Sequence, residues 1–177
     1  DTILGAVRSQ ARIIDDLLDL SRINTGKLKL NRGPVLLRQV LADIADVARS
    51  DAQNRQIDFA LDLPEDAHDP LVVDADPVRI EQIIWNLLNN ALKFTAPGGR
   101  ITLRLEDEGA LVRLDVEDNG QGIAAESLPL IFDLFGQVPD QRHSNNRAGL
   151  GIGLALVREL VEAHHGRVEV RSEGLGH

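Results

Sequence analysis

Apolar residues recur every three or four positions through "DTILGAVRSQARIIDDLLDLSRINTGK", the first 27 residues. Leu4, Val7, Ala11, Ile14 and Leu18 form one seam, and Ile3, Ala6, Ile13, Leu17 and Leu20 a second beside it. This predicts an amphipathic helix whose broad stripe needs neighbours on two sides, as in a helical bundle. Arg8, Arg12, Asp15, Asp16, Asp19 and Arg22 fall on the opposite face, and Gly26 is placed to stop the helix. "KLKLN" alternates as a short strand, and "LLRQVLADIADVARSDAQNR" reads as a second helix. "IDFALDL" and "LVVDA" are half-buried strands on either side of the polar loop "PEDAHDP". Asp76 before Pro77 is an N-cap followed by proline at the first helical position, so a third helix runs to about Phe94, where "APGG" turns the chain. "RITLRLED" and "ALVRLDVED" form a hairpin through Glu108 and Gly109. A helix from near Gly149 and a strand, "GRVEVRSE", complete the elements, and "GQVPDQRHSNNRAG" has the composition of a mobile loop. Helices and strands alternate, but a hairpin makes the sheet mixed. The expected class is therefore α+β, not a purely parallel doubly wound fold.

The third helix carries the first chemical signal. Ile80, Ile83, Ile84, Leu87, Leu88, Ala91 and Leu92 make its buried stripe, and "NLLNNALKFT" adds three asparagines and a lysine at residues 86–95. Asn86, Asn90 and Lys93 fall within about 60° of one another around the axis and can reach one object, whereas Asn89 is expected to face solvent. A solvated face is the ordinary fate of polar residues, but such faces carry Glu and Lys pairs more often than stacked amides. An amide oxygen is a hard neutral ligand suited to Mg²⁺, and a lysine one turn on can meet a phosphate.

Two glycine clusters point the same way. "DVEDNGQGI" puts Asp118, Gly120 and Gly122 at a strand end, where backbone can approach a flat ligand while a carboxylate accepts from it. "AGLGIGLALVRELVEAHHG" puts Gly149, Gly151 and Gly153 at a helix opening, where free N–H groups favour phosphate. A polar loop, not a strand, precedes this second cluster, which counts against a dinucleotide-binding unit.

Composition narrows the picture further. The hydrophobic content of 43% supports a real core, built mainly from Leu, Ile, Val and Ala because aromatic content is only 3%. A net charge of −9 with scattered cations opposes nucleic-acid binding. The absence of cysteine removes disulfides and thiolate metal sites and fits a reducing compartment. No apolar run approaches the roughly 20 residues of a membrane span. The expectation is a soluble, cytoplasmic piece making no membrane contact itself, with a parent protein free to be membrane-anchored.

Taken in order, "NLLNNALKFT", "DNGQGI", "LIFDLFGQV" and "GLGIGLALV" resemble the asparagine box, first glycine box, phenylalanine box and second glycine box of bacterial sensor histidine kinases. The opening helix resembles the second helix of that family's dimerisation hairpin. The resemblance implies a two-layer sandwich of helices on one face of a mixed sheet over residues 27–177, with residues 1–26 as the bundle helix. It also implies ATP and Mg²⁺ as ligands, with Asn90, and Asn86 beside it, at the metal and Lys93 at the phosphates. Asp118 would receive the adenine amino group, and Gly120 and Gly122 would admit the purine. Phe132 and Phe135 would form the aromatic base of an ATP lid over residues 136–148, closed by Gly149, Gly151 and Gly153. The implied reaction passes the γ-phosphoryl group to a histidine and then to an aspartate of a response-regulator receiver domain, in a protein that is a homodimer at full length.

Related ATPases of the gyrase, chaperone and mismatch-repair type have a general-base glutamate where Asn86 stands, so slow hydrolysis is expected here. No histidine matches the family's acceptor: His68 stands in a polar loop, His143 in the expected lid, His164 and His165 near a helix end, and His177 is terminal. The acceptor helix is expected to lie upstream, and the family's last strand beyond His177. A same-fold ATPase or clamp, and a non-catalytic dimerisation module, are the rival readings.

Overall fold

The computed structural model describes residues 14–23, 25–64, 71–134 and 151–176. The chain divides into two compact units, residues 31–125 with 171–177, and residues 1–30 with 126–170.

The first unit is the α+β body. Strand β1 (Gly33–Leu36) leads into helix α1 (Leu37–Asn54), followed by β2 (Asp58–Asp62), β3 (Val72–Ala75), helix α2 (Pro77–Phe94), β4 (Arg100–Asp107) and β5 (Val112–Asp118). β1 pairs antiparallel with β3, with Gly33 opposite Ala75 and Leu36 opposite Val72. The second sheet has the order β2-β4-β5, parallel between β2 and β4 and antiparallel between β4 and β5, which makes it mixed as expected. Along β4, Ile101, Leu103 and Leu105 are buried and alternate with more exposed Arg100, Thr102, Arg104 and Glu106. One face of the sheet is therefore covered. It packs with Leu41, Ile44 and Ala48 of α1 and Ile84, Leu88 and Ala91 of α2 into a single core. The open face is laced by ion pairs, Arg100 to Asp58 at 3.0 Å and Arg104 to Asp62 at 2.8 Å. Such exposed pairs hold register more than they add stability.

Local chemistry explains the bounds of α2. Asp76 caps it, its Oδ1 accepting from the N–H groups of Val78 and Arg79 at 3.1 and 3.3 Å, with proline at the first turn. Its other oxygen accepts from the Asn31 N–H at 2.8 Å, joining the segment before β1 to the start of α2. The hairpin is wider than two residues, since Asp107 pairs with Val112 and the Glu108 N–H donates to Leu111 O at 2.9 Å.

In the second unit, residues 14–23 are helical, a turn covers Leu128–Leu130, and α3 spans Gly153–Ala163. The helix stops where Gly26 predicted, with the Gly26 and Lys27 N–H groups donating to Ile23 O and Arg22 O at 2.8 and 2.7 Å. Its faces differ from expectation. Asp16 and Asp19 are buried, while Ile14, Leu17 and Leu18 are 56%, 41% and 50% exposed. Of the apolar seams expected to find bundle neighbours, Leu20 alone among these described positions is buried, at 5% exposure.

Two predicted strands do not form. "KLKLN" keeps an alternating burial but spends its first N–H groups on closing the helix, and the strand lies instead at Gly33–Leu36, where β3 supplies a partner. "GRVEVRSE" alternates half-buried Val168 and Val170 with exposed neighbours, yet has no ladder. Its end is held through Ser172 Oγ, which accepts from the Ile123 N–H at 2.9 Å. The helix expected from near Gly149 begins at Gly153. The stretch 136–149, called mobile from its composition, lies outside the described residues.

Candidate functional site

The apolar stripe of α2 fixes its rotation and turns Asn86, Asn90 and Lys93 to one side. All three are half-buried. No group among the described residues hydrogen-bonds to the Asn86 or Asn90 amides or pairs with Lys93. Asn89 departs from expectation: it is half-buried, and its amide donates back to Trp85 O at 2.7 Å. Its chemistry is used inside the helix, whereas that of Asn86 and Asn90 is not.

Lys93 Nζ sits 4.6 Å from the centroid of the Phe94 ring. Burial pushes its pKa below the ordinary lysine value of 10.5. A half-desolvated ammonium without a carboxylate partner is a receptive place for an anion. The Phe94 ring is the neighbour that pattern reasoning did not use, and its signal was simple adjacency to the lysine.

The register of β5 brings Asp118 to the same end. Asp118 lies opposite Ile101, on the covered face of the sheet but past the core, where it is exposed. Its Oδ1 accepts from the Gly120 N–H at 2.9 Å, bending the chain sharply after the strand. Gly120 is required by close packing: a Cβ there would stand 2.6 Å from Phe94 O and 2.6 Å from Asp118 Oδ1. Gly122 has φ +70, which L side chains resist. The Gln121 N–H donates to Phe94 O at 3.3 Å. The loop Asp118–Gly122 is thus seated on the C-terminal end of α2, and the first glycine box and the asparagine box share one corner of the body.

The remaining site candidates belong to the other unit. Phe132 is half-buried after the turn at Leu128–Leu130, Gly151 is half-buried, and Gly153 is the first residue of α3. Phe135 and Gly149, with the lid residues between them, lie outside the described residues. His164 Nδ1 is 2.7 Å from Leu160 O, an end-of-helix contact that fits a structural role.

The sequence profile of the histidine kinase-, DNA gyrase B- and HSP90-like ATPase family matches residues 75–176. The chain belongs to this family. Within the histidine kinase-, gyrase B- and HSP90-like ATPases, it is an ATP-binding catalytic domain of the sensor histidine kinase type. The aerobic respiration control sensor protein ArcB of Escherichia coli strain K12 is 37% identical over 175 residues, 97% of this chain and 22% of ArcB. The chain therefore spans less than a quarter of that relative's length. Full-length ShkA in complex with AMPPNP superposes with a TM-score of 0.72 and 28% identity, over 92% of this chain and 33% of ShkA. The histidine kinase AdeS of Acinetobacter baumannii shares the fold, with a TM-score of 0.76 and 24% identity over 98% of this chain and 77% of its own. The expected α+β class and kinase family both hold. No helix among the described residues is long and apolar enough to cross a membrane.

Proposed function

We propose that in its whole protein this domain delivers the γ-phosphoryl group of ATP to a histidine on a dimerisation helix, for relay to an aspartate of a response-regulator receiver domain. One observation carries this reading: Asn86, Asn90 and Lys93 share one half-buried face of α2, and none has a hydrogen-bond or ion-pair partner among the described residues. Their polar atoms remain open to solvent, so a ligand can take them without breaking any hydrogen bond within the protein.

The residues fit Mg²⁺ as a companion to nucleotide. Two amide oxygens one turn apart are hard neutral donors, and Mg²⁺ commonly completes its shell with phosphate oxygens and water. Among the described residues no cluster of His, Cys, Asp or Glu would hold the ion without nucleotide. Asn90 and Asn86 would hold the ion, whose charge offsets that of the phosphates. Lys93 adds a second positive charge at the phosphates, and Asp118 accepts from the adenine amino group. Gly120 and Gly122 keep the loop low beside the base. By the family resemblance, Phe132, Phe135, Gly149, Gly151 and Gly153 would belong to the ATP lid. These groups work by positioning and charge neutralisation, which is most of what phosphoryl transfer asks of a protein.

Asn86 separates transfer from hydrolysis. An amide has no useful basicity, so water beside the γ-phosphate is not deprotonated and the phosphoryl group waits for a better acceptor. We assign residues 1–26 to the second dimerisation helix and 27–177 to the catalytic domain. The family match at 75–176 falls within the second of these ranges. In the full-length protein the helix would join a homodimer.

The test mixes this chain with a separately produced acceptor helix and ATP labelled on its γ-phosphate. Acid-labile label on the acceptor is the expected result. Rapid release of free phosphate with no transfer would favour a same-fold ATPase, and a folded chain that binds no nucleotide would leave a binding module.

A further inference from the structure

Thr95 follows Phe94 as the C-cap of α2, its N–H donating to Ala91 O at 3.0 Å. The residue is only 4% exposed, and its Oγ1 is the one buried side-chain polar atom among the described residues without a hydrogen-bond partner. Buried hydroxyls nearly always find a partner, so this one calls for a reason.

Its surroundings supply one. Thr95 Cγ2 lies against the place a Gly99 Cβ would occupy. The methyl branch therefore packs on the Gly98–Gly99 turn, and the hydroxyl occupies another staggered position. Beside it, the Phe94 carbonyl touches the Asp118–Gly122 loop through Gly120 and accepts from the Gln121 N–H. The unpaired hydroxyl is thus buried at the joint between the end of α2, which carries Lys93, and the loop that carries Asp118. At the opposite end of the helix, buried Asp76 accepts from three backbone N–H groups.

We propose that Thr95 is a further positioning residue of the nucleotide site. When a purine is seated beside the loop, the Thr95 hydroxyl donates to the loop and holds Asp118 in the orientation that accepts from the base. The inference rests on the nucleotide reading above and assigns one more residue to its base-binding end. An unpaired buried hydroxyl penalises the empty protein and is relieved in the occupied one, so stability and affinity should move in opposite directions when it is removed.

The experiment compares wild type, Thr95→Val and Thr95→Ser by thermal unfolding without nucleotide, and by calorimetry with Mg²⁺–AMPPNP and with Mg²⁺–tripolyphosphate. Thr95→Val is expected to unfold at or above the wild-type temperature, bind AMPPNP about tenfold more weakly, and bind tripolyphosphate unchanged. Thr95→Ser should stay within about twofold of wild type, since it keeps the hydroxyl. If Thr95→Val does not fold, Thr95→Ala makes the same comparison. Unchanged AMPPNP affinity in the variant overturns the role of Thr95 alone, as does a parallel loss of both ligands. A folded wild type that binds no AMPPNP overturns the nucleotide reading itself and this inference with it.

Discussion

At its N-terminal end, α2 is closed by hydrogen bonds: Asp76 accepts from Val78, Arg79 and Asn31, and Arg79 donates to Gln82 at 2.8 Å. Along its C-terminal half, Asn86, Asn90, Lys93 and the Thr95 hydroxyl meet no hydrogen-bond or ion-pair partner among the described residues. One buried stripe, centred on Ile84, Leu88 and Ala91, supports both ends. The contrast shows how a single helix divides its duties, with its start spent on stability and its end kept for a ligand. If that division is real, substitutions at the two ends should separate unfolding free energy from nucleotide affinity.

The largest effect is expected from the stripe, where both duties meet. Leu88 is fully buried in the core, so Leu88→Ala should cost about 3–5 kcal/mol in urea-induced unfolding. Its affinity for nucleotide should fall only as far as the folded fraction falls. Asn90→Ala comes next and should behave in the opposite way. Its unfolding midpoint should stay within about 2 °C of wild type, because it breaks no internal hydrogen bond. Its affinity for Mg²⁺–AMPPNP by calorimetry should drop about 100-fold, equivalent to nearly 3 kcal/mol. A large drop in its stability instead would mean the amide is structural and erase the contrast.

The division was partly legible in sequence, and the reasons differ by element. The bounds of α2 followed from Asp76 and Pro77, and those of β4 from its alternation, because both signals are local. The face shared by Asn86, Asn90 and Lys93 followed from helical geometry alone. What failed depended on partners. β1 forms at Gly33–Leu36 because β3 offers its edge there, which no pattern in "KLKLN" reveals. The N-terminal helix shows the same limit, since periodicity names an apolar seam but not what covers it. Thr95 was invisible for a related reason, because an unpaired hydroxyl is a property of packing. Asn89 reads like its neighbours in sequence and is set apart only by its bond to Trp85 O.

Asp76→Ala tests the closed end at a smaller scale. Losing the cap costs about 1–2 kcal/mol, and the Asn31 N–H left without its acceptor adds about 1 kcal/mol. Asp76→Asn should recover the cap but not the Asn31 bond, since an amide offers one oxygen where the carboxylate offers two. Nucleotide affinity of the folded fraction should remain near wild type for both. A marked loss of affinity in Asp76→Asn, with stability mostly restored, would show that the two ends communicate.

The smallest effect concerns Lys93 and is read through protons. Burial lowers its pKa below 10.5, so the charged form is penalised in the folded protein relative to the unfolded chain. That penalty is fully present at neutral pH and fades as pH rises through the lowered pKa. The empty domain should therefore gain slightly in stability over that window, up to the unfolded value, and Lys93→Met should show no such gain. Phosphate beside the ammonium favours the charged form and lifts the pKa again. Binding in the same window must then take up a proton, and affinity must weaken as pH rises. Calorimetry with Mg²⁺–AMPPNP at alkaline pH below the unfolded lysine value, in two buffers of different ionisation heat, measures the uptake directly. Uptake by wild type and its absence in Lys93→Met would place Lys93 at the phosphates. Uptake that survives the substitution would assign the proton to another group and leave Lys93 as an ammonium resting on the ring of Phe94.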